Sequence, residues 1–260
     1  MAVTVLMPMA GRGSRFSRTG VLLPKPLVPV YGIPMFRLAL ASIRSVLTDA
    51  ELVCVILGEH QDQFSLADIL RDAEPRVRIA TVPQVTGGAL ETCLAAEPLV
   101  TARSNGLIVL DCDLTFSAAN YFLTMSRMDA GTDDSAGLLL SFRSRMTQFS
   151  YAACEGDLVI RTAEKQAISD RALTGAYGFG QAACFFAAAR HIVEQNILTG
   201  NGEYYVSSVY NHLIDSGGKV MISDADRIWS IGTPEELHVA MQDPAFLLHL
   251  QSIGLNPHCS

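Results

Sequence analysis

Short apolar runs alternate with segments of helical period through the first half of the chain. Residues 3–7, 52–57, 77–82 and 107–110 are each nearly all apolar and bounded by turn formers, which reads as four buried strands. Between the first two, residues 34–47 carry Phe36, Leu40, Ile43 and Leu47 at helical spacing, with Pro34 suited to the start. Residues 61–71, with Phe64, Ala67, Ile69 and Leu70, read as another helix, and a further one follows Gly88 to about Ala96. Strands alternating with helices to about residue 130 imply a mostly parallel sheet with right-handed crossovers. The later pattern differs. Residues 135–142, 150–154, 158–162 and 173–180 read as strands joined by short turns, with Glu155-Gly156-Asp157 as a tight hairpin. Residues 203–214 read as a helix with Tyr204, Val206, Val209, Tyr210 and Leu213 near one face. Two more strands, 219–223 and 227–231, precede a capping box: Thr233 as N-cap, Pro234 at the first helical position, Glu236 three residues on. The expected fold class is α/β, a Rossmann-like mixed but mostly parallel sheet flanked by helices, in a single domain spanning 1–260.

Ligands of such sheets bind outside the carboxyl ends of the strands. Polar clusters at residues 8–15, 84–88 and 111–113 each follow a predicted strand end, so one composite site is expected. Composition narrows what it serves. The 260 residues are 49% hydrophobic and 17% charged, which excludes disorder and suits one domain with a sizeable core. A net charge of −7 argues against a nucleic-acid polymer as partner and makes local cations more informative. Six cysteines (Cys54, Cys93, Cys112, Cys154, Cys184 and Cys259) form no C-x-x-C pair and read as buried free thiols of a reducing compartment. The amino terminus lacks the basic region of a secretion signal, and no apolar stretch reaches ~18 residues. A cytoplasmic protein with no membrane partner is expected.

The densest chemistry lies in Met7-Pro8-Met9-Ala10-Gly11-Arg12-Gly13-Ser14-Arg15-Phe16 and Pro24-Lys25-Pro26-Leu27. The first strand is expected to break at Pro8 into a turn. There Gly11 and Gly13 can take positive φ and let backbone N–H groups face a ligand. Arg15 adds a planar fork of donors and Lys25 a compact charge. A backbone nest with two cations suits a triphosphate. The dinucleotide fingerprint G-x-G-x-x-G fails at Phe16, and a Walker A loop needs Gly-Lys-Ser/Thr. Asp111-Cys112-Asp113 ends an apolar strand, where residues two apart share a face, so both carboxylates can point at one hard cation such as Mg²⁺. In Gln84-Val85-Thr86-Gly87-Gly88, the glycines would allow backbone groups to approach a base edge.

Gly-x-Gly-x-Arg followed by Pro-Lys-Pro-Leu-x-Pro-Val-x-Gly-x-Pro-Met resembles the signature of the sugar-phosphate nucleotidyltransferases, the nucleoside-diphosphate-sugar pyrophosphorylases. That resemblance covers residues 5 to about 240. It implies the nucleotide-diphospho-sugar transferase type of fold, with 1–130 as the nucleotide-binding half and 131–260 as the acceptor-binding half. It also implies a reaction that joins an NTP to a small phosphorylated acceptor with release of pyrophosphate. Arg15 and Lys25 would bind the triphosphate, and Met9, Ala10, Gly11, Arg12, Gly13 and Ser14 would line the nucleotide. Gln84, Thr86, Gly87 and Gly88 would meet the base, although Gln84 is one residue closer to the glycines than in thymidylyl-transferring relatives. Asp113 would hold Mg²⁺, with Asp111 auxiliary on the nucleotide side. Many relatives carry a second metal Asp just before a late Gly-Thr. Here Ser230-Ile231-Gly232-Thr233 occupies that stretch, leaving Asp224, Asp226 or water as substitutes. Glu164-Lys165 followed by Thr174-Gly175-Ala176-Tyr177 resembles the acceptor segment, though Gln166 replaces the usual Pro. Lys165 would hold the attacking phosphate, with Glu164, Gly175, Tyr177 and Glu203 about the acceptor.

Pro-Met-Ala-Gly-Arg-Gly-Ser-Arg-Phe, Thr-Gly-Ala-Tyr and Glu-Tyr-Tyr-Val look most like a subgroup linked to capsular polysaccharide modification, which includes cytidylyltransferases. CTP is therefore favoured, then UTP or dTTP. The expected partners are the NTP and its acceptor, with homo-oligomerisation left open. Two other classes compete: a metal-dependent glycosyltransferase of related fold, which never handles a triphosphate, and a non-catalytic nucleotide-sugar-binding regulator, expected to lose its phosphate-binding cations.

Overall fold

The computed structural model describes residues 3–103, 105–199 and 202–257. In chain order its elements begin with strand β1 (Thr4–Met9), helix α1 (Ser14–Ser17), the short β2 (Pro29–Val30) and β3 (Ile33–Pro34), and α2 (Met35–Arg44). There follow β4 (Glu51–Leu57), α3 (Gly58–Phe64), α4 (Leu66–Ala73), β5 (Arg78–Val82), α5 (Ala89–Leu94), β6 (Leu107–Leu110), β7 (Leu114–Ser117) and α6 (Ala119–Asp129). The second half holds β8 (Gly137–Arg143), β9 (Ser150–Glu155), β10 (Leu158–Glu164), β11 (Arg171–Phe179), α7 (Ala182–Glu194) and α8 (Ser208–Asp215). It ends with β12 (Val220–Asp224), β13 (Arg227–Ser230), α9 (Pro234–Gln242) and α10 (Pro244–Ser252). Among the described residues, no helix is long and apolar enough to cross a membrane.

The main sheet has the order β5-β4-β1-β6-β11-β8-β12-β10-β9. Its first four strands are parallel, as the alternation of strands and helices predicts. Then β11 enters antiparallel between β6 and β8, and β10 and β9 add a hairpin at the far edge. The Glu155↔Leu158 pair closes that hairpin over Gly156-Asp157, with Gly156 at φ 61°. The mixed α/β class therefore holds, with the parallel character confined to the first half and to the β8–β12 pair.

Both faces of β1, β4 and β6 are buried, which explains why they read as continuous apolar runs, whereas the edge strand β5 is only half-buried. Along β4, Leu52, Cys54 and Ile56 enter the core on one side of the sheet, and Val53, Val55 and Leu57 enter the other. Likewise α2 has two buried faces. Phe36, Ala39, Leu40 and Ile43 meet the sheet, whereas Met35, Leu38 and Ala41 pack beneath the C-terminal helices with Trp229 and Phe246.

Several expectations need correction. Strand β1 does not break at Pro8 but runs on to Met9, because pairing with β6 stops at Leu6 and Pro8 needs only its β4 neighbour. The predicted helix 61–71 is two helices, broken where Ser65 takes a left-handed φ of 53°. The predicted helix 203–214 starts only at Ser208, because Tyr204 pairs through its backbone with Gly87 and Leu90 instead. No element was anticipated over α7 or α10, where alanines and scattered polar residues weaken the periodic contrast. Cys54, Cys93 and Cys112 are buried free thiols, but Cys154 is half-buried and Cys184 exposed. Cys259 lies outside the described residues. Thr233 caps α9 by accepting from the Glu236 N–H at 3.1 Å, while the Glu236 carboxylate accepts from Gln148 rather than returning the bond.

One buried polar chain ties the C-terminal helices to the sheet. Ser42 Oγ lies 2.8 Å from Thr115 Oγ1, which lies 2.9 Å from His249 Nε2, and the His249 ring stacks on Trp229. Burial, with Arg227 nearby, pushes His249 down to about 4 from its ordinary 6.5. The unfolded chain then binds more protons than the folded one between those values, so this residue's contribution to stability is lost as pH falls through that window. Thermal melts should show wild type losing stability more steeply than His249→Gln between pH 6.5 and about 4. Equal slopes would contradict a neutral buried ring.

Candidate active site

The chain turns sharply after β1. Gly13 has φ 62° and caps α1, and a Cβ there would approach the Lys25 Cβ to 2.9 Å. Both facts call for glycine. Gly11 does not take positive φ; space is open above it, so its use is room rather than backbone conformation. The N–H groups of Gly11, Arg12, Gly13 and Ser14 have no acceptor among the described residues, which makes this turn a ready anion cradle. Lys25 follows on a 3₁₀ turn and forms a close ion pair with Asp113. Burial alone would lower the Lys25 ammonium pKa, but Asp113, Cys112 and Asp111 outweigh it and leave it raised.

Asp111 and Asp113 lie between β6 and β7, off regular strand, yet both face the same cleft. The Asp111 N–H donates to Gly175 O at 2.9 Å, locking the end of β6 to β11. Burial and the neighbouring Asp113 raise the Asp111 carboxyl pKa against the opposing pull of Lys25. Two glycines crowd these acids. A Cβ on Gly175 would come within 2.6 Å of an Asp111 carboxylate oxygen, and one on Gly232 would strike the Asp113 carboxylate.

These residues line two adjoining cavities. The first, about 420 Å³, is walled by Met9, Gly11, Gly13, Ser14, Arg15 and Lys25, and closed by Asp111, Asp113, Glu203 and Gly232. The second, about 1060 Å³, shares Arg15, Asp111, Asp113 and Gly232 with the first and contains Glu164, Lys165, Gly175 and Tyr177. Its outer wall is aromatic and acidic, from Phe142, Phe149, Trp229, Glu235 and Glu236. Burial raises the Glu164 carboxyl pKa, against hydrogen bonds from Ser150 and Ser207. The carboxylates of Asp111 and Asp113 are hard oxygen donors on one cleft, and they fit a divalent cation that also takes water and phosphate ligands. Among the described residues, no cluster of three or more His, Cys, Asp or Glu is placed to hold a metal by itself.

Other expected residues stand elsewhere. Ala10 is buried, and Arg12 is exposed and reaches Glu59 at 3.8 Å. Gln84 is exposed, and neither it nor Thr86, Gly87 or Gly88 lines either cavity. Protein groups already lie close to the glycine pair. Gly87 O accepts from Tyr204 N at 2.9 Å, Gly87 N–H donates to the Glu91 carboxylate, and a Cβ on Gly88 would strike the Tyr204 backbone. Thr86 Oγ1 is taken by Gly88 O at 2.9 Å and Thr92 Oγ1 at 2.6 Å. Glu203, expected about the acceptor, instead lines the first cavity.

Neither substitute metal ligand reaches Asp113. Asp224 accepts from Ser141 Oγ at 2.6 Å and pairs with Arg143 at 3.2 Å, while Asp226 accepts from the Ala119 N–H at the start of α6. Because β13 runs antiparallel to β7, Asp226 sits at the Ser117 end, about 13 Å of strand from Asp113. Sequence reading missed Gly232 as a cleft residue, and it placed Glu203-Tyr204-Tyr205 by resemblance near the acceptor while weighing the two aromatics as core. The Ile-Gly-Thr stretch held the signal for Gly232.

A parallel sheet extended by antiparallel strands is the fold of solved structures of the nucleotide-diphospho-sugar transferase type. The chain resembles the nucleoside-diphosphate-sugar pyrophosphorylase of Vibrio cholerae RC9, with a TM-score of 0.79 and 23% identity over 92% of this chain and 100% of that one. It also resembles the inositol-1-phosphate CTP transferase of T. maritima (TM-score 0.73, 15% identity, 98% of each chain). A third similar structure is the UDP-glucose pyrophosphorylase of Acinetobacter baumanii (TM-score 0.69, 15% identity, 97% of this chain and 98% of that one). No curated protein matches the sequence. Residues 4–245 match the family model described as nucleotidyl transferase, and the chain belongs to that family: it is a nucleotidyltransferase.

Gly232→Ala tests the geometry at Asp113. The added methyl must push the carboxylate from Lys25, so pyrophosphate release should fall about 100-fold while the melting temperature changes by only a few degrees. An unchanged rate would separate Asp113 placement from turnover.

Proposed function

We propose that this nucleotidyltransferase joins an NTP, CTP first and UTP or dTTP next, to a sugar 1-phosphate or another small phosphorylated acceptor, and releases pyrophosphate. One observation carries the reading. Arg15, Lys25 and Asp113 line one cavity, and Arg15 and Asp113 continue into a second cavity that contains Lys165 and Glu164. A triphosphate in the first and a phosphate monoester in the second would have their reacting atoms near the shared wall. The nucleotide is assigned chiefly to residues 1–130 and the acceptor to 131–260. Glu203 and Gly232 cross into the first cavity and Arg15, Asp111 and Asp113 into the second. The choice of CTP rests on the branch resemblance.

Phosphoryl-type transfer asks for positioning and charge neutralisation more than covalent work. In the proposed step an acceptor phosphate oxygen attacks the α-phosphorus in line, and the bond from that phosphorus to the bridging β-phosphate oxygen breaks. Lys165 orients the nucleophile, and Arg15 and Lys25 stabilise the departing pyrophosphate with the free N–H groups of Gly11 to Ser14. No general base is needed, because a phosphate monoester is already ionised at neutral pH. Mg²⁺ is the cation we assign to Asp113, with Asp111 auxiliary; when bound it would neutralise charge on the phosphate oxygens.

A cation within ~4 Å of a phosphate contributes about 4 kcal/mol gross at an effective dielectric near 20, less after desolvation. Lys165→Ala should therefore lower turnover by about two decades or more with the fold intact. Lys25→Ala should lower it as far, and should also reduce thermal stability because Asp113 loses its partner. Pyrophosphate release from each of the five common NTPs, mixed with glucose 1-phosphate, inositol 1-phosphate and other small phosphate monoesters, tests the reaction. No release from any pair would overturn it, and wild-type rates in either variant would overturn the roles.

A further inference from the structure

The segment 203–207 is an irregular strap joining the two cavities. At one end Tyr204 N donates to Gly87 O at 2.9 Å and Tyr204 O accepts from Leu90 N at 3.0 Å. At the other, Ser207 O accepts from Thr162 Oγ1 at 2.9 Å, and the Ser207 hydroxyl binds the Glu164 carboxylate. Tyr205 is thereby held between two pinned neighbours, and its ring centroid lies 5.2 Å from Lys165 Nζ. Lys165 is itself set in an uncommon backbone conformation, φ 52°, with its N–H donating to Phe149 O at 3.1 Å. Both side chains line the larger cavity.

An aromatic face is an apt partner for a cation that must bind an anion. A carboxylate would hold the ammonium by neutralising it and would compete with the incoming phosphate. A ring quadrupole attracts the same ammonium while leaving its charge and its three N–H donors available. It also narrows the rotamers of a four-carbon stem, whose freedom would otherwise be lost at the moment of binding. Glu164, the adjacent acid, is occupied by Ser207.

We propose that Tyr205 is a positioning residue, its ring face holding the Lys165 ammonium over the second cavity, ready for the acceptor phosphate. The proposal rests on the role given to Lys165 above, so its test includes a readout that does not need turnover. Reductive methylation with ¹³C-formaldehyde labels the lysines, and the Lys165 signal is identified by its loss in Lys165→Gln. The ring current should shift that signal upfield in wild type and in Tyr205→Phe, and the shift should vanish in Tyr205→Leu. A wild-type signal at the position of a free lysine would overturn the placement, whether or not the chain turns over.

Kinetics, with the NTP and sugar phosphate that react fastest in the panel above, test its use. Tyr205→Leu should raise the acceptor KM about tenfold and leave the NTP KM within about twofold, and Tyr205→Phe should behave as wild type. An unchanged acceptor KM in Tyr205→Leu, an equal rise in both KM values, or an equal loss in Tyr205→Phe would each overturn the proposal. A wild type without pyrophosphate release counts against the proposed reaction alone, and the lysine signal then decides the positioning role.

Discussion

The ion pair between Lys25 and Asp113 holds the cleft in its observed shape. It spans 88 positions in the chain and fastens the 3₁₀ turn beyond α1 to the turn after β6. Its surroundings make it consequential. Burial works against the ammonium, and the nearby acids outweigh it and leave its pKa raised; burial likewise works against the Asp111 carboxyl. Breaking such a pair by removing one partner leaves an uncompensated charge, which costs about 3–5 kcal/mol in buried settings and less where water reaches. A ligand that brings its own phosphates offers Lys25 a second anion, so an exchange of partners at this position is chemically natural for a triphosphate site.

Close backbone approach is what allows three charged groups to share so little space. Gly13 packs on Lys25, Gly232 on Asp113 and Gly175 on Asp111, each where a methyl group would collide. The three glycines come from the turn after β1, the segment after β13 and the middle of β11. None is near another in sequence, and each is matched to one member of the charged set. The signature turn is therefore only a third of the device.

What could be read beforehand follows the same division between local and assembled structure. Strands buried on both faces announce themselves, as 52–57 and 107–110 do, because every residue must be apolar. The Gly-x-Gly-x-Arg turn and Asp111-Cys112-Asp113 were legible because their chemistry is local. Gly87-Gly88 was legible only in part, since a glycine pair states only that something approaches closely. The identity of the visitor, here the Tyr204 backbone, depends on a segment more than a hundred residues away. Asp224 and Asp226 failed for a related reason. Their nearness in sequence to Ile231 concealed that Asp224 ends β12, held by Ser141 and Arg143, and that Asp226 sits at the opposite end of β7. Residues 203–207 defeated helix periodicity because two of their backbone groups are claimed by the Gly87–Leu90 segment.

The order of strands explains why the two cavities share a wall. Had the sheet stayed parallel, a crossover would have carried the next strand to an edge, and the site would have ended at Asp113. Instead β11 is spliced antiparallel beside β6, and its Gly175 carbonyl takes the Asp111 N–H where β6 ends. Glu164-Lys165 and Tyr177 arrive with that second, antiparallel half, and Trp229 and Gly232 with the strand that pairs with β7. Glu164, Gly175 and Tyr177 are therefore fixed to the same sheet as β6, whereas Trp229 arrives on the separate β13–β7 ribbon. In the proposed reaction, strand topology would bring the two phosphates together, with the side chains of Lys25, Lys165 and Tyr205 making the final adjustment.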